Sequence, residues 1–344
     1  MEIIYNYIIS PDRLPLAVLA LLIANIGGFL AGPVLNTLNP VFWSFLEGLF
    51  GHAASRLNRS ERKRQDLVLR GFLLTCFAAF LSFGIGAGLT ALAMSYPLSG
   101  VTDVVFLVIV LASGSFWKNM MQLHAGLKKE NATAKQGAFY VLSKSTRYNL
   151  STADDYTLTR AGIMFSIRHF TKNMVAPVFW YLVGGLPLAY LYSGIAFMSW
   201  LIGQRGEKES FGFMANRVER IFGFIPAYLA AFILVLASFF TPTAASGRAL
   251  RGFFARKNGH SCPYYQGGRP VSVIVWALNL SLGGSMIDYD GYRIKYDWTG
   301  PPGSTARLES HHLKRTNYIL GVALLIFGLL LLLCMQGAGH LPVN

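Results

Sequence analysis

The chain has 344 residues, 53% hydrophobic and 13% charged, with 30 Lys plus Arg against 16 Asp plus Glu for a net charge of +14. Soluble domains carry about one quarter charged residues, so this composition and a mean hydropathy of +0.43 argue against a water-soluble globule and against a basic disordered tail. What remains is a bilayer protein whose cations sit in its loops; nucleic-acid binding is excluded as a main function because the bases form no domain-sized stripe.

A helix crossing the hydrocarbon core needs about 20 mostly apolar residues. In chain order the qualifying runs are 14–35, 71–94, 101–117, 174–202, 221–240 and 317–336. The first is too long for a signal peptide and follows Glu2 and Asp12 rather than a basic region, so it is expected to be retained. The fourth is long for one crossing, and Gly184-Gly185-Leu186-Pro187 marks it for a kink or a division into two pieces. The expected fold is therefore a single all-α polytopic membrane domain over 1–344 with five to six transmembrane helices.

Three polar segments, 36–70, 118–173 and 241–316, fall on one side if run 174–202 crosses once. They hold all of the basic residues except Arg13, Arg205, Lys208, Arg217 and Arg220. The positive-inside rule then makes them cytoplasmic in a multi-pass bacterial inner-membrane protein. Cys76 and Cys334 fall inside spans and Cys262 in a loop, with no disulfide or zinc spacing.

Segment 36–70 reads as an interfacial amphipathic helix ending in a basic run. Segment 118–173 contains Ser151 and Asp154, a capping-box variant before a helix through Thr159, Ile163 and Ile167. That helix ends in Arg168, His169 and Lys172, cationizable groups suited either to interfacial anchoring or to phosphate. Segment 241–316 is rich in Gly, Pro, Tyr and Trp. Paired glycines at Gly267-Gly268 and Gly283-Gly284 are candidate anion nests, flanked by Arg269 and Lys295. Asp288, Asp290 and Asp297 are candidate oxygen ligands for Mg²⁺, or solvated loop carboxylates. The sequence contains no nucleotide-binding P-loop, kinase set, nucleophile elbow or H-E-x-x-H pair.

Val175-Ala176-Pro177-Val178-Phe179-Trp180-Tyr181-Leu182-Val183-Gly184-Gly185 resembles the "VAPLFWYLLGG" signature of the CobD/CbiB family. Asn39-Pro40-Val41 resembles its His-Pro-Val. Phe211-Gly212, Arg217-Val218-Glu219-Arg220 and Ile225-Pro226-Ala227 are similar to "FG…RLDD…IPAR", and Gly268 to Gly300 follow its "NAGYPE…LGG…YGG…KPWIG" pattern in order. The resemblance implies cobalamin biosynthesis: ATP- and Mg²⁺-dependent amide formation between a corrinoid, adenosylcobyric acid, and aminopropanol or its phosphate, beside the lipid bilayer. Polar positions depart from the pattern. "ENxxDG" becomes Arg168-His169-Phe170-Thr171-Lys172-Asn173, and "NTLDSMVG" becomes Ala196-Phe197-Met198-Ser199-Trp200-Leu201-Ile202-Gly203. These losses of acid open an alternative, a non-catalytic membrane regulator similar to AmpE.

Overall fold

The computed structural model describes residues 13–58, 62–95, 99–129, 132–203, 209–255, 268–289 and 291–338. Its helices are α1 (Arg13–Ala31), α2 (Val41–Leu57), α3 (Arg64–Met94), α4 (Ser99–Val110), α5 (Ser115–Lys129), α6 (Ala132–Thr146) and α7 (Asp155–Arg168). A π-helical turn (His169–Val175) joins α7 to α8 (Ala176–Ile202). There follow α9 (Glu209–Phe222), α10 (Phe224–Phe239), α11 (Ser246–Phe254), α12 (Gly268–Leu278), an antiparallel hairpin of β1 (Leu282–Ile287) and β2 (Arg293–Thr299), and α13 (Ser310–Ala338). The all-α polytopic expectation holds, with that hairpin added. Five stretches are long and apolar enough to cross a membrane, six with the bent α9–α10 pair.

Outward faces of the long helices carry exposed Leu22, Leu30, Phe77, Phe80, Leu325 and Leu333, the surface that lipid covers. Inward faces use small residues so that backbones touch. Gly71 of α3 lies against the Phe211 carbonyl, Gly86 lies 2.8 Å (as an added Cβ) from the Leu186 carbonyl, and Gly194 packs on Ser82 and Ala78. Because 86 meets 186 while 78 and 82 meet 194, α3 and the second half of α8 run antiparallel.

The first half of α8 runs the other way. Asn173 O accepts the Ala112 N–H at 2.9 Å, and Tyr181 Oη donates to Asp103 Oδ2 at 3.0 Å, so the chain descends along α4 in reverse. Tyr190 Oη then donates to Phe106 O at 2.9 Å, and Trp200 ends beside Arg168 and Lys172. A straight helix of this length would put its ends about 40 Å apart. Gly184 (φ −148, ψ 24) and Gly185 (φ 69, ψ −161) break the helix, the latter in a region essentially reserved for glycine, and Pro187 cannot donate across the break.

The expectation that 174–202 crosses once is therefore corrected: the segment is re-entrant and returns to the side it left. The α9–α10 pair, bent by 59°, also starts on that side, with Gly212 against the Ile202 carbonyl. It leads into the antiparallel α11–α12 pair, where Ala245 N–H bonds Ala277 O at 3.0 Å, and thence into the hairpin on the same side. Arg13 stays at the far end beside Gly185. Reporters fused after Asn149 and after Gly203 should report the same side, and one after Ser95 the opposite side. A Gly203 fusion matching Ser95 would restore the single crossing.

At α7 the N-cap is Asp154 itself, whose carboxylate accepts the Thr157 N–H at 3.0 Å; Ser151 instead turns onto Asn149 Oδ1. The Thr157 hydrogen bond holds the Asp154 carboxyl below its ordinary value. The cap accordingly contributes fully above the unfolded carboxyl pKa and is lost as pH falls through the lower folded value. D154A should cost about 1 kcal/mol in thermal unfolding near neutral pH, with the difference from wild type vanishing in acid.

Candidate functional site: a cationic cleft at the π turn

Helix α7 passes into α8 through the π turn, a widened register common at functional sites. Pro177 supplies a local cause. It has no N–H for the carbonyl of Asn173 four residues earlier, and that carbonyl takes Ala112 N–H instead, docking the end of α4 onto the turn. The wide turn presents Arg168, His169, Lys172 and Asn173 to one open cleft, completed by Asn39, Trp43, Ser145, Thr146, Phe165 and Trp200.

Ser145 organises the far wall. Its hydroxyl accepts the Leu38 N–H at 2.9 Å, and its carbonyl accepts Asn39 Nδ2 at 3.1 Å and Trp200 Nε1 at 2.8 Å. Trp43 donates to Ser193 Oγ at 3.0 Å and lies 5.6 Å, centroid to centroid, from Trp200. Arg147 covers the Trp200 ring at 5.3 Å and pairs with Glu47 at 3.5 Å. These contacts bring together residues up to 160 positions apart, and no local pattern in the sequence announces Ser145.

Among the described residues no carboxylate lines the cleft. Behind its wall the buried Glu219 of α9 pairs with Lys172 Nζ at 2.9 Å. Arg168 makes no ion pair or hydrogen bond among the described residues, so its charge is the one left open to a ligand. His169 is 1% exposed and stacks on Phe116 with centroids 4.5 Å apart, while both ring nitrogens and Asn173 Oδ1 lack partners. Such buried polar atoms are uncommon in native structures and mark a place where a partner fits.

Of the residues singled out from sequence, Arg168 and Lys172 meet here, and the others lie elsewhere. Arg269 Nη1 donates to the Phe253 and Ala255 carbonyls at the end of α11 and its guanidinium sits 5.3 Å over Tyr228, so it caps a helix. Gly268 opens α12 with φ +59. Gly283 and Gly284 lie in β1 and form no anion nest: an added Cβ would meet Trp298 Cα at 2.6 Å and Arg160 Nη1 at 2.6 Å respectively. The buried Arg160, which the sequence did not single out, donates to the Gly283 and Ser285 carbonyls and so clamps the hairpin to α7. Lys295 stands on the exposed face of β2 opposite Ser285.

Asp288, buried at the end of β1, accepts the Tyr289 N–H at 2.7 Å, whereas Asp297 lies five residues, about 16 Å, further along the hairpin. Gly267 and Asp290 lie outside the described residues. Among the described residues no three His, Cys, Asp or Glu side chains come together as a metal cage, so they do not fit a carboxylate-held Mg²⁺. Tyr148 and Tyr296 hydrogen-bond at 2.5 Å on the inner face of the hairpin; burial, then Tyr148, holds the Tyr296 phenol well above its ordinary pKa.

Removing one partner of the Lys172–Glu219 pair leaves the other charged and buried. E219Q or K172M should each lower thermal stability in detergent by about 3–5 kcal/mol, and the K172M/E219M double variant should recover most of the loss. Additive losses in the double variant would show that the two side chains are not coupled.

The family model described as CobD/Cbib protein matches residues 22–320. A Clostridium perfringens protein named cobalamin biosynthesis protein CobD is 25% identical over 278 residues, 79% of this chain and 85% of its own length. A Klebsiella pneumoniae protein of the same name is 26% identical over 267 residues, covering 76% of this chain and 80% of its own. A Methanococcus aeolicus protein named probable cobalamin biosynthesis protein CobD is 25% identical over 264 residues, 73% of this chain and 80% of its own. No solved structure matches. The family match covers the π turn, the re-entrant α8 and the hairpin together, and by it this multi-pass membrane chain belongs to the CobD/Cbib protein family.

Proposed function

We propose that the chain acts in cobalamin biosynthesis, in the step that joins the carboxylate of adenosylcobyric acid to aminopropanol or its phosphate. The relatives' names support the pathway, and the open Arg168 guanidinium beside the fixed Lys172 ammonium is the observation that carries the step. Carboxylate activation by ATP gathers negative charge at one place, and preorganised cations lower the cost of that charge. In this reading Arg168 takes the developing anion. Lys172, held by Glu219, keeps a second positive charge from turning away. Trp43 and Trp200 give an amphipathic ligand a flat wall, and the re-entrant α8 holds that wall against the π turn. The described residues do not fit Mg²⁺, and no step is assigned to it. By the positive-inside rule the cleft and hairpin face the cytoplasm of a bacterial inner membrane.

A second reading is a non-catalytic membrane regulator of the AmpE kind. The Lys172–Glu219 pair favours it, since a carboxylate already neutralised by an internal ammonium is withdrawn from acid–base or metal work.

Expression in a cobalamin auxotroph lacking the synthase, supplied with cobyric acid, separates the two. Rescue is expected, with R168A reducing growth or product at least about tenfold, the loss of one charge-assisted contact. No rescue by protein shown to be folded in the membrane would leave the regulator.

A further inference from the structure

We infer that the cleft at the π turn is a phosphate site that works without a divalent metal, its uncompensated positive charge being supplied by Arg168. This rests on the same cleft as the proposed function and names the ligand chemistry it accepts.

Three independent features converge. Among the described residues the wall contains no acid, and with Lys172 offset by Glu219 at 2.9 Å the charge left uncompensated is that of Arg168. A site of this charge attracts an oxyanion and disfavours a free divalent cation. Arg168 has no partner among the described residues, and a guanidinium presents a rigid fork of donors matched to phosphate oxygens. Beside it stand His169, 1% exposed, and Asn173, 4% exposed, with both imidazole nitrogens and Asn173 Oδ1 unsatisfied. A neutral imidazole offers one donor and one acceptor, and the amide oxygen an acceptor.

A hydrogen phosphate or phosphomonoester answers this set, because it accepts from Arg168 and from a ring N–H and carries an O–H for an acceptor. The same chemistry is shared by a soluble phosphate compound and by the phosphomonoester headgroup of phosphatidic acid.

The test uses the full chain in phosphatidylcholine nanodiscs with EDTA, comparing unfolding temperature in inorganic phosphate and in chloride at matched ionic strength. Phosphate should stabilise the protein equally in EDTA and in Mg²⁺. R168Q should weaken apparent phosphate binding roughly tenfold or more, with R168K intermediate and the exposed R248Q on α11 unchanged.

Stabilisation seen only with Mg²⁺, or undiminished in R168Q, would overturn the inference. Repeating the titration in nanodiscs containing phosphatidic acid, whose headgroup is a phosphomonoester, separates the two sources. A headgroup in the cleft abolishes the effect of free phosphate and makes R168Q less stable than wild type in those discs; a soluble ligand leaves the effect intact. No Arg168-dependent effect in either disc would also overturn it. Failed auxotroph rescue with the phosphate effect intact would remove the amide-forming reading and leave this site standing.

Discussion

Everything in the candidate site depends on the chain reversing at Gly184–Gly185. Gly185 adopts φ 69, ψ −161, a conformation any Cβ would strain, and Pro187 just beyond has no N–H to continue the descending helix. The reversal sends α8 back along α3, where Gly86 and Gly194 remove the side chains that would keep the backbones apart. Only a returning α8 places Trp200 across from Arg168. A straight span would have put these residues on opposite sides of a bilayer.

The second constraint is electrostatic. A buried charge is tolerated when a partner offsets its desolvation, and Lys172 meets this condition through Glu219. Arg168 does not; it faces the open cleft, where a ligand oxyanion has the matching charge. Relative to the acidic pattern of the family, the site is inverted in sign at two positions of one turn. That inversion leaves the scaffold untouched, because the glycines, Pro177 and the α3–α8 contact depend on shape and not on charge.

Much of the architecture was legible from local pattern. Apolar runs located the long helices, the Ser151–Asp154 pair the neighbourhood in which α7 starts though not its cap, and the Gly-Gly-Leu-Pro run the break in α8. The direction taken after the break was not legible, since apolar periodicity is the same for a crossing and a returning helix. Paired glycines were read as anion nests, yet Gly283 and Gly284 are close-approach positions, and the Gly283 and Ser285 carbonyls hold Arg160. Arg269 looked available for phosphate, but helix α11 ends within its reach.

By itself the sequence determined that the chain is membrane-embedded, that its bases concentrate between apolar runs, and that a CobD/CbiB-like signature leads into a glycine break. These are properties of composition, period and order along one stretch of chain. Tertiary structure alone decided that the break is a reversal and that Ser145 ties Asn39 to Trp200. It also decided that Glu219 takes Lys172 and leaves Arg168 open. Each of these is a contact between residues far apart in the chain, formed because burial demands a partner for every polar group, and the identity of that partner is set in three dimensions.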